Sequence, residues 1–271
     1  MKKLFEWIYP SGIYCIACED LIDKSSPYSL CDRCAREMNW IRGRACSRCG
    51  KALGPEWRGG LCADCRDVER RFGKGLACVS YEGRAMDVVR GMKYKERSYI
   101  ASHIAEIMTD RLIAGADPDT GEMERYDYII PVPMYKRKER KRGYNQSALI
   151  ANAIASNLNM GYQGNALIRN KPTPVMSGLG KDLRRLNLEG AFTVTKGFRQ
   201  LLDGASILLV DDVFTTGSTA DECAATLLET GAAKVDIIVF AAGANYAAKQ
   251  TPHRSGSVIA SPSQLRAKGP T

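Results

Sequence analysis

The chain has 271 residues, a hydrophobic fraction of 45% and a net charge of +9. This length accommodates one α/β domain of ordinary size with a small accessory module, and the composition allows a sizeable core. No stretch approaches the roughly 20 apolar residues of a membrane-spanning helix, which argues against one, and the excess of basic residues favours polyanionic partners.

The amino-terminal residues include two lysines and several apolar side chains, as a secretion signal does. Glu6 and Pro10 interrupt the apolar run, however, and no small-residue cleavage site follows before Cys15. We therefore expect a cytoplasmic protein without membrane insertion.

Cysteine is distributed unevenly, because eight of the ten cysteines fall between Cys15 and Cys65. They form four C-x-x-C pairs, with twelve, eleven and twelve residues between successive pairs. The pairs are Cys15/Cys18, Cys31/Cys34, Cys46/Cys49 and Cys62/Cys65. Two such pairs supply the four sulfurs of a tetrahedral zinc site, so the four pairs predict a double zinc ribbon with two structural zinc ions.

Several alternatives to this arrangement stay open at the level of the sequence. Sequential pairing, with the first four cysteines in one site and the last four in the other, is simplest, but an interleaved cross-brace satisfies the same spacing. A disulfide-stapled module would need an oxidising compartment, which nothing in the sequence indicates. Four thiolates also hold iron–sulfur clusters, although we favour zinc.

From about Phe72 the pattern changes to alternating strands and helices. Strands are predicted at 75–83, 126–133, 166–170, 206–212 and 234–242, and helices at 86–108 with a break near residue 97, at 147–157 and at 218–229. This alternation predicts an α/β fold whose mostly parallel sheet has helices on both faces. We expect the ribbons at 1–68, the α/β domain at 69–245 and a disordered tail at 246–271.

The segment that carries most information begins with a buried apolar strand that runs into two adjacent carboxylates, Asp211 and Asp212. A turn of small and hydroxyl residues follows, called here the hydroxyl turn: Thr215, Thr216, Gly217, Ser218 and Thr219. Its N–H groups and hydroxyls, together with the start of the next helix, can bind a phosphate, and Gly217 permits close approach. The carboxylates can accept hydrogen bonds from sugar hydroxyls with a divalent cation nearby, so a phosphorylated ribose is the predicted ligand.

These residues resemble the PRPP-binding motif of the type I phosphoribosyltransferases, in which an apolar strand, two acidic residues and a T-T-G-S/T turn follow one another. From about residue 4 to 242 the chain also resembles the ComF family, competence-associated proteins with a double zinc ribbon and a phosphoribosyltransferase-like domain. Four further stretches carry this resemblance. They are GMKYKERS from Gly91, IIPVPMYKRKERKRGYNQ from Ile129, TPVMSGLGKDLRRLNLEGAF from Thr173 and ADECAATLLETGA from Ala220.

The resemblance implies the type I phosphoribosyltransferase fold and a role for each matching position. Asp211 and Asp212 would hold the ribose hydroxyls and the hydroxyl turn the 5′-phosphate, while Mg²⁺ would bridge ribose and diphosphate. The diphosphate loop would comprise Val132, Pro133, Met134 and Tyr135. Residues 174–189 would form the mobile flap of true enzymes of this fold, although Met176 stands where family members often have Gln. The segment after Ala244 does not resemble the family.

Basic residues are candidates for contacts with diphosphate or with nucleic acid. Lys93, Lys95 and Arg137 could assist a departing diphosphate, the alternative being ordinary solvated charges. The run KRKERKR at 136–142 has six positive residues and one negative, and suits either a track for a nucleic-acid backbone or the solvated edge of a loop that leads into a helix. The candidates are Lys93, Lys95, Lys136, Arg137, Lys138, Arg140, Lys141 and Arg142.

No segment identifies a purine, pyrimidine or amine acceptor, so no catalytic residue is assigned. The family resemblance implies a protein that binds PRPP or a related ribose 5-phosphate and handles incoming single-stranded DNA during natural transformation, with competence proteins as partners. The alternatives are an active phosphoribosyltransferase with an unknown acceptor and a catalytically silent regulator that senses PRPP. The remaining cysteines, Cys78 and Cys223, are predicted to lie in the core.

Overall fold

The computed structural model describes residues 13–23, 25–94, 97–116, 120–172 and 188–243. Lys95, most of the flap expected at 174–189 and the tail expected at 246–271 lie outside these residues. None of the described helices is long and apolar enough to cross a membrane.

A parallel sheet forms the centre of the α/β half of the chain. The strands are β1 (Gly75–Ser80), β2 (Tyr128–Pro131), β3 (Gly161–Tyr162), β4 (Leu167–Arg169), β5 (Phe192–Val194), β6 (Ser206–Phe214) and β7 (Lys234–Ala242). Five of them form one sheet in the order β1-β7-β6-β2-β3, and every neighbouring pair is parallel. Most residues of β6 and β7 are buried, as in strands that are covered on both faces. The prediction of a mostly parallel sheet is confirmed.

Helices cover both faces of this sheet. The helices of the described residues are α1 (Asp32–Glu37), α2 (Ala63–Arg66), α3 (Arg84–Tyr94), α4 (Ile100–Ile113), α5 (Lys136–Arg142), α6 (Gln146–Leu158), α7 (Arg199–Leu202) and α8 (Ser218–Leu228), with 3-10 turns at Pro27–Ser29 and Lys196–Phe198. Alternate residues of β6 point to opposite faces. Leu208 and Val210 share a core with α3, α4 and α6, whereas Ile207 and Leu209 share one with α8. This is the architecture expected of a type I phosphoribosyltransferase fold.

The strand order creates a topological switch point between β2 and β6. After β2 the chain passes through α6 to β3 on one side, and after β6 it passes through α8 to β7 on the other side. Because the two connections diverge, they leave a crevice outside the carboxyl ends of β2 and β6. Such a crevice is where open α/β sheets bind their ligands. The hydroxyl turn follows β6 directly and therefore flanks this crevice.

The strands predicted at 206–212 and 166–170 differ in extent or pairing, and β3 and β5 are not among the predicted strands. β6 does not stop at Asp211 and Asp212 but continues to Phe214, because Val213 and Phe214 remain paired with β7. The strand expected at 166–170 is present as β4, but it pairs antiparallel with β5 in a separate two-stranded sheet.

The basic run is itself a helix, α5, and not the edge of a loop that leads into one. Lys, Arg and Glu are good helix formers, so their succession favours this conformation. Gly143, with a φ of 88°, ends the helix in the left-handed conformation that glycine adopts readily. No residue of α5 is buried, so its charges are solvated.

The cysteine module is attached along the outer edge of β1. Trp40 forms an antiparallel bridge with Val79, and the Ser80 N–H donates a hydrogen bond of 2.8 Å to the Asn39 carbonyl. The chain crosses the edge of the sheet at this point. The first four cysteines consequently share a core with α3 and α4, and the last four share one with α8 on the opposite face.

Candidate functional site

Two groups of four cysteines are assembled in the amino-terminal module. The first cysteine centre consists of Cys15, Cys18, Cys31 and Cys34, and the second of Cys46, Cys49, Cys62 and Cys65. Within each centre the four sulfurs lie within 4.8 Å of one another. Sequential pairing is therefore confirmed, and the cross-brace is wrong. The other two cysteines, Cys78 and Cys223, are buried in the core as predicted.

The spacing of the sulfurs fits zinc. With a Zn–S distance of about 2.3 Å, two sulfurs of a tetrahedral site lie about 3.8 Å apart. The Sγ atoms of Cys18 and Cys31 are 3.8 Å apart, and those of Cys49 and Cys62 are 3.5 Å apart. Each centre therefore fits one structural zinc ion.

Backbone groups support these sulfurs from within the module. The Cys31 N–H donates to Cys15 Sγ at 3.4 Å, and the Cys62 N–H donates to Cys46 Sγ at 3.3 Å. Cys31 and Cys62 also occupy the cap positions that begin α1 and α2. Four thiolates leave no open position on the metal, so both centres suit a folding role and not catalysis.

Asp211 lies near the carboxyl end of β6, beside the amino terminus of α6. Ser147 Oγ donates a hydrogen bond of 2.8 Å to Asp211 Oδ1, and the Asp212 backbone N–H donates one of 2.9 Å to the same oxygen. Burial raises the pKa of Asp211 to about 7, and the negative charge of Asp212 adds to this shift. Near neutral pH, Asp211 is therefore divided between its protonated and its charged form.

Asp212 contacts a lysine at the end of α3. Its Oδ2 lies 2.5 Å from Lys93 Nζ, and the residue is only 8% exposed. Burial is the largest single influence on the pKa of Lys93 and by itself would lower it, but the hydrogen bond and attraction to Asp212, together with Asp211 and Tyr81, outweigh burial and raise the pKa. Lys93, which the sequence associates with diphosphate, thus neutralises Asp212.

The hydroxyl turn connects β6 to α8. Thr215 is exposed, and Thr216 Oγ1 lies within hydrogen-bond distance of Ser218 Oγ, at 3.1 Å. Gly217 has a φ of 83°, and a Cβ at this position would lie 2.4 Å from a carbon of the Phe214 ring. Only glycine fits here. Because α8 begins at Ser218, its first N–H groups, which have no partner within the helix, belong to this turn.

The residues after β2 are held in place by the start of α6. The Val132 N–H donates to the Val210 carbonyl at 2.9 Å, so pairing with β6 continues past the end of β2. Asn145 Nδ2 donates to the Val132 carbonyl, and Asn145 Oδ1 accepts from the Ser147 N–H, both at 3.1 Å. Val132 is buried. Its side chain belongs to the core, so only its backbone is available to a ligand.

A cleft of about 680 Å³ adjoins these residues on the side of α5. Its walls include Pro133, Met134, Lys136, Arg137, Arg140 and Arg169. Lys138 and Lys141 are exposed outside the cleft, and Arg142 Nη1 donates to Gln146 Oε1 at 2.7 Å. The predicted basic residues of α5 thus divide into three that line the cleft and three that do not.

Three residues next to the site are not singled out by the sequence. Asn145 is recognisable afterwards, because asparagine is a preferred residue directly before a helix. Ser147 contacts Asp211 from 64 residues away, and Arg70 Nη2 donates to the Thr216 carbonyl at 2.7 Å from 146 residues away. No local pattern signals either contact.

Comparisons with known proteins agree with both halves of the chain. Residues 4–66 match the family described as "Double zinc ribbon domain". The chain is 30% identical over 213 residues to the DNA utilization protein YhgH of Salmonella typhimurium, which covers 78% of this chain and 89% of that protein. It is 27% identical over 209 residues to Competence protein F of Haemophilus influenzae, covering 77% and 88% of the two chains.

Among solved structures, the chain is similar to the glutamine phosphoribosylpyrophosphate amidotransferase of B. subtilis, which was solved with ADP and GMP. The superposition covers 56% of this chain and 27% of the amidotransferase chain. The TM-score is 0.33 and the sequence identity 16%. The alignment with the Salmonella protein is longer than either half of the chain, since it extends over 213 residues and 89% of that relative. An identity of 30% over 78% of this chain and 89% of that relative shows a common family, and the chain belongs to the ComF family of competence-associated proteins.

Proposed function

We propose that this protein binds PRPP, or a related ribose 5-phosphate, in the switch-point crevice and handles single-stranded DNA in the cytoplasm during natural transformation. The ligand proposal is carried by one observation: Asp211, Asp212 and the hydroxyl turn meet at the end of β6, beside that crevice. The names of the relatives, DNA utilization protein and Competence protein F, support the DNA role and competence proteins as partners.

The two carboxylates suit the ribose end of such a ligand. Sugar hydroxyls donate hydrogen bonds, and a carboxylate accepts them best in its charged form. Asp212 is already paired with Lys93, at 2.5 Å, so a ribose would share or replace that contact. Asp211 and Asp212 also offer the oxygen ligands that Mg²⁺ prefers, and a bound Mg²⁺ would offset the charge of a diphosphate.

The hydroxyl turn suits the 5′-phosphate. The amino terminus of α8 carries a partial positive charge and free N–H groups. Thr216 and Ser218 add hydroxyls, and the absence of a side chain at Gly217 lets a phosphate approach the backbone.

The DNA role is supported by α5 and by the cleft beside it. Lys136, Arg137 and Arg140 line the cleft next to Pro133, so a strand that follows it would have cations along its phosphates. Tyr162 also lines the cleft, and aromatic side chains stack on the bases of single strands.

The ligand is tested by calorimetry with the zinc-loaded protein, PRPP and Mg²⁺. Replacing Asp211 or Asp212 by Asn should weaken binding at least tenfold. Glu229→Gln removes an exposed carboxylate just beyond the other end of α8 and should leave the affinity unchanged. Failure of the wild-type protein to bind PRPP at millimolar concentration would refute this proposal.

The DNA role is tested by the salt dependence of single-stranded DNA binding. Lys136→Gln/Arg137→Gln should lower the slope of log affinity against log salt by about 1.4, since each phosphate contact in a single strand adds about 0.7. Lys196→Gln/Arg199→Gln removes the same charge from another exposed surface and should leave the slope unchanged. Equal slopes for the two variants would rule out α5 as the DNA contact.

Catalysis is a second candidate, because the cleft of about 680 Å³ next to Pro133 and Met134 leaves room for an acceptor. In such a reaction the bond from ribose C1 to diphosphate breaks, a bond from C1 to the acceptor forms, and the acceptor loses a proton. Release of diphosphate from PRPP and Mg²⁺ with pooled acceptors would support it. PRPP binding without any release would favour a silent sensor.

A further inference from the structure

The second cysteine centre is connected to β6 by buried contacts. Asp64 lies between the ligand positions Cys62 and Cys65, and its Oδ2 is 2.7 Å from Lys51 Nζ. Lys51 is 1% exposed, so this ion pair is buried. Lys51 Nζ also lies 5.6 Å from the ring centroid of Phe214, the last residue of β6. Side chains around this centre thus reach the strand that precedes the hydroxyl turn.

Arg70 connects the centre to the turn directly. Its Nη2 donates to the backbone carbonyl of Asp64 at 3.3 Å and to that of Thr216 at 2.7 Å. The next residue, Arg71, donates its backbone N–H to Asp221 Oδ1 at 2.6 Å, in the first turn of α8. Residues 70 and 71 therefore hold both the hydroxyl turn and the start of the helix that follows.

The contact with Thr216 also determines how the turn is oriented. In a trans peptide the C=O and the following N–H point in opposite directions. With the Thr216 carbonyl directed at Arg70, the Gly217 N–H points away from it. The arginine packs closely, since a Cβ on Gly217 would lie 3.1 Å from Arg70 Nη1. A turn that is ordered in advance binds a phosphate more tightly, because no ordering is left to occur on binding.

One donor of Arg70 carries an energetic cost in the folded protein. Arg70 is 7% exposed, and its Nε has no hydrogen-bond partner among the residues that the structure describes. Leaving a buried donor without an acceptor is destabilising, and an apolar side chain of similar size would avoid that effect.

We propose that Arg70 is a positioning residue that links the second cysteine centre to the hydroxyl turn and orders the turn for a phosphate. The proposal rests on the ribose-phosphate function above and extends it, because it makes the two zinc centres unequal. The second centre supports the turn, whereas the first packs with α3 and α4 on the opposite face of the sheet.

The test uses the full zinc-loaded chain with Arg70→Met, which keeps a long side chain without the guanidinium. The Asp221 amide reports on the turn, because it donates to the Gly217 carbonyl at 2.9 Å. In Arg70→Met we expect this amide to exchange with solvent at least tenfold faster and ribose 5-phosphate to bind at least tenfold more weakly, with two zinc ions retained per chain. Arg70→Lys should recover part of the amide protection and part of the affinity, since an ammonium group can still donate a hydrogen bond to a carbonyl.

Arg84→Met is the matched control, because Arg84 Nε donates to Glu37 Oε2 at 2.7 Å and joins the other half of the module to α3. Arg84→Met should change neither the exchange rate of the Asp221 amide nor the affinity for ribose 5-phosphate by more than twofold. The proposal is overturned if Arg70→Met leaves the Asp221 exchange rate unchanged, or if Arg84→Met raises it equally. If Arg70→Met does not fold, the same comparison with Arg70→Lys decides. A wild-type protein that does not bind ribose 5-phosphate would refute the proposed function, whereas the exchange rates would still test the role of Arg70.

Discussion

The raised pKa of Asp211 predicts that ligand binding depends on pH. A ribose hydroxyl donates hydrogen bonds, and Mg²⁺ is a cation, so both favour the charged carboxylate. With a pKa of about 7, Asp211 is about 9% charged at pH 6 and about 91% charged at pH 8. If only the charged form binds, the affinity for ribose 5-phosphate with Mg²⁺ rises about tenfold over this interval, and a proton is released on binding.

Calorimetry at pH 6, 7 and 8, in buffers with different ionisation enthalpies, measures the affinity and the number of protons released. The ligand phosphate also titrates, with a pKa of about 6. In Asp211→Asn the ligand phosphate still titrates, but the carboxyl group of residue 211 is gone. The difference between the pH profiles of affinity for the variant and for the wild type is therefore due to Asp211. Parallel profiles for variant and wild type would refute the reasoning.

Without added ligand the same pKa affects stability in the opposite direction. The ordinary pKa of Asp is 3.8, so between about pH 4 and 7 the folded protein holds a proton that the unfolded chain has lost. The stabilisation that this bound proton gives to the folded protein is fully present below pH 4 and is lost as the pH rises through 7. Thermal unfolding should therefore show Asp211→Asn gaining stability relative to wild type between pH 5 and pH 8.

Further predictions concern the neighbours of this site and the metal centres. Lys93→Met leaves the Asp212 carboxylate buried without its cation and should lower the free energy of unfolding in urea by about 3 kcal/mol, and adding Asp212→Asn should restore most of it. Gly217→Ala, with a 2.4 Å clash, should be at least about 2 kcal/mol less stable and bind ribose 5-phosphate more than tenfold more weakly. Gly204→Ala, at a similar φ of 70° with no atom within 4 Å of the added Cβ, should show a smaller loss of stability and no loss of binding. Zinc release by a chelator should yield two ions per chain and unfold the module, and Cys46→Ser should retain one ion; two ions in that variant would contradict the second centre.

Features that depend only on residues close together in the chain could be predicted from the sequence. Each C-x-x-C pair forms a local unit, so the zinc ribbons could be predicted, whereas spacing did not decide which pairs combine. The apolar run that ends at Val210 predicted a strand. Its continuation to Phe214 was not predictable, because it depends on pairing with Ala241 and Ala242 of β7.

The same distinction applies to the candidate site. Asp211, Asp212 and the hydroxyl turn form one contiguous segment with recognisable chemistry. The groups that hold them come from distant parts of the chain, such as Ser147 on Asp211 and Arg70 on the turn. Such contacts result from the packing of α6 and of the cysteine module, and a single sequence contains no periodic signal for them.

The attachment of residues 39–41 along β1 has a consequence for solubility. An unprotected outer strand can pair with the same strand of another molecule and start aggregation. The opposite outer strand, β3, has only two residues and offers little to pair with. When zinc is scarce, a module that fails to fold would uncover β1 and leave its edge open to pairing with another molecule.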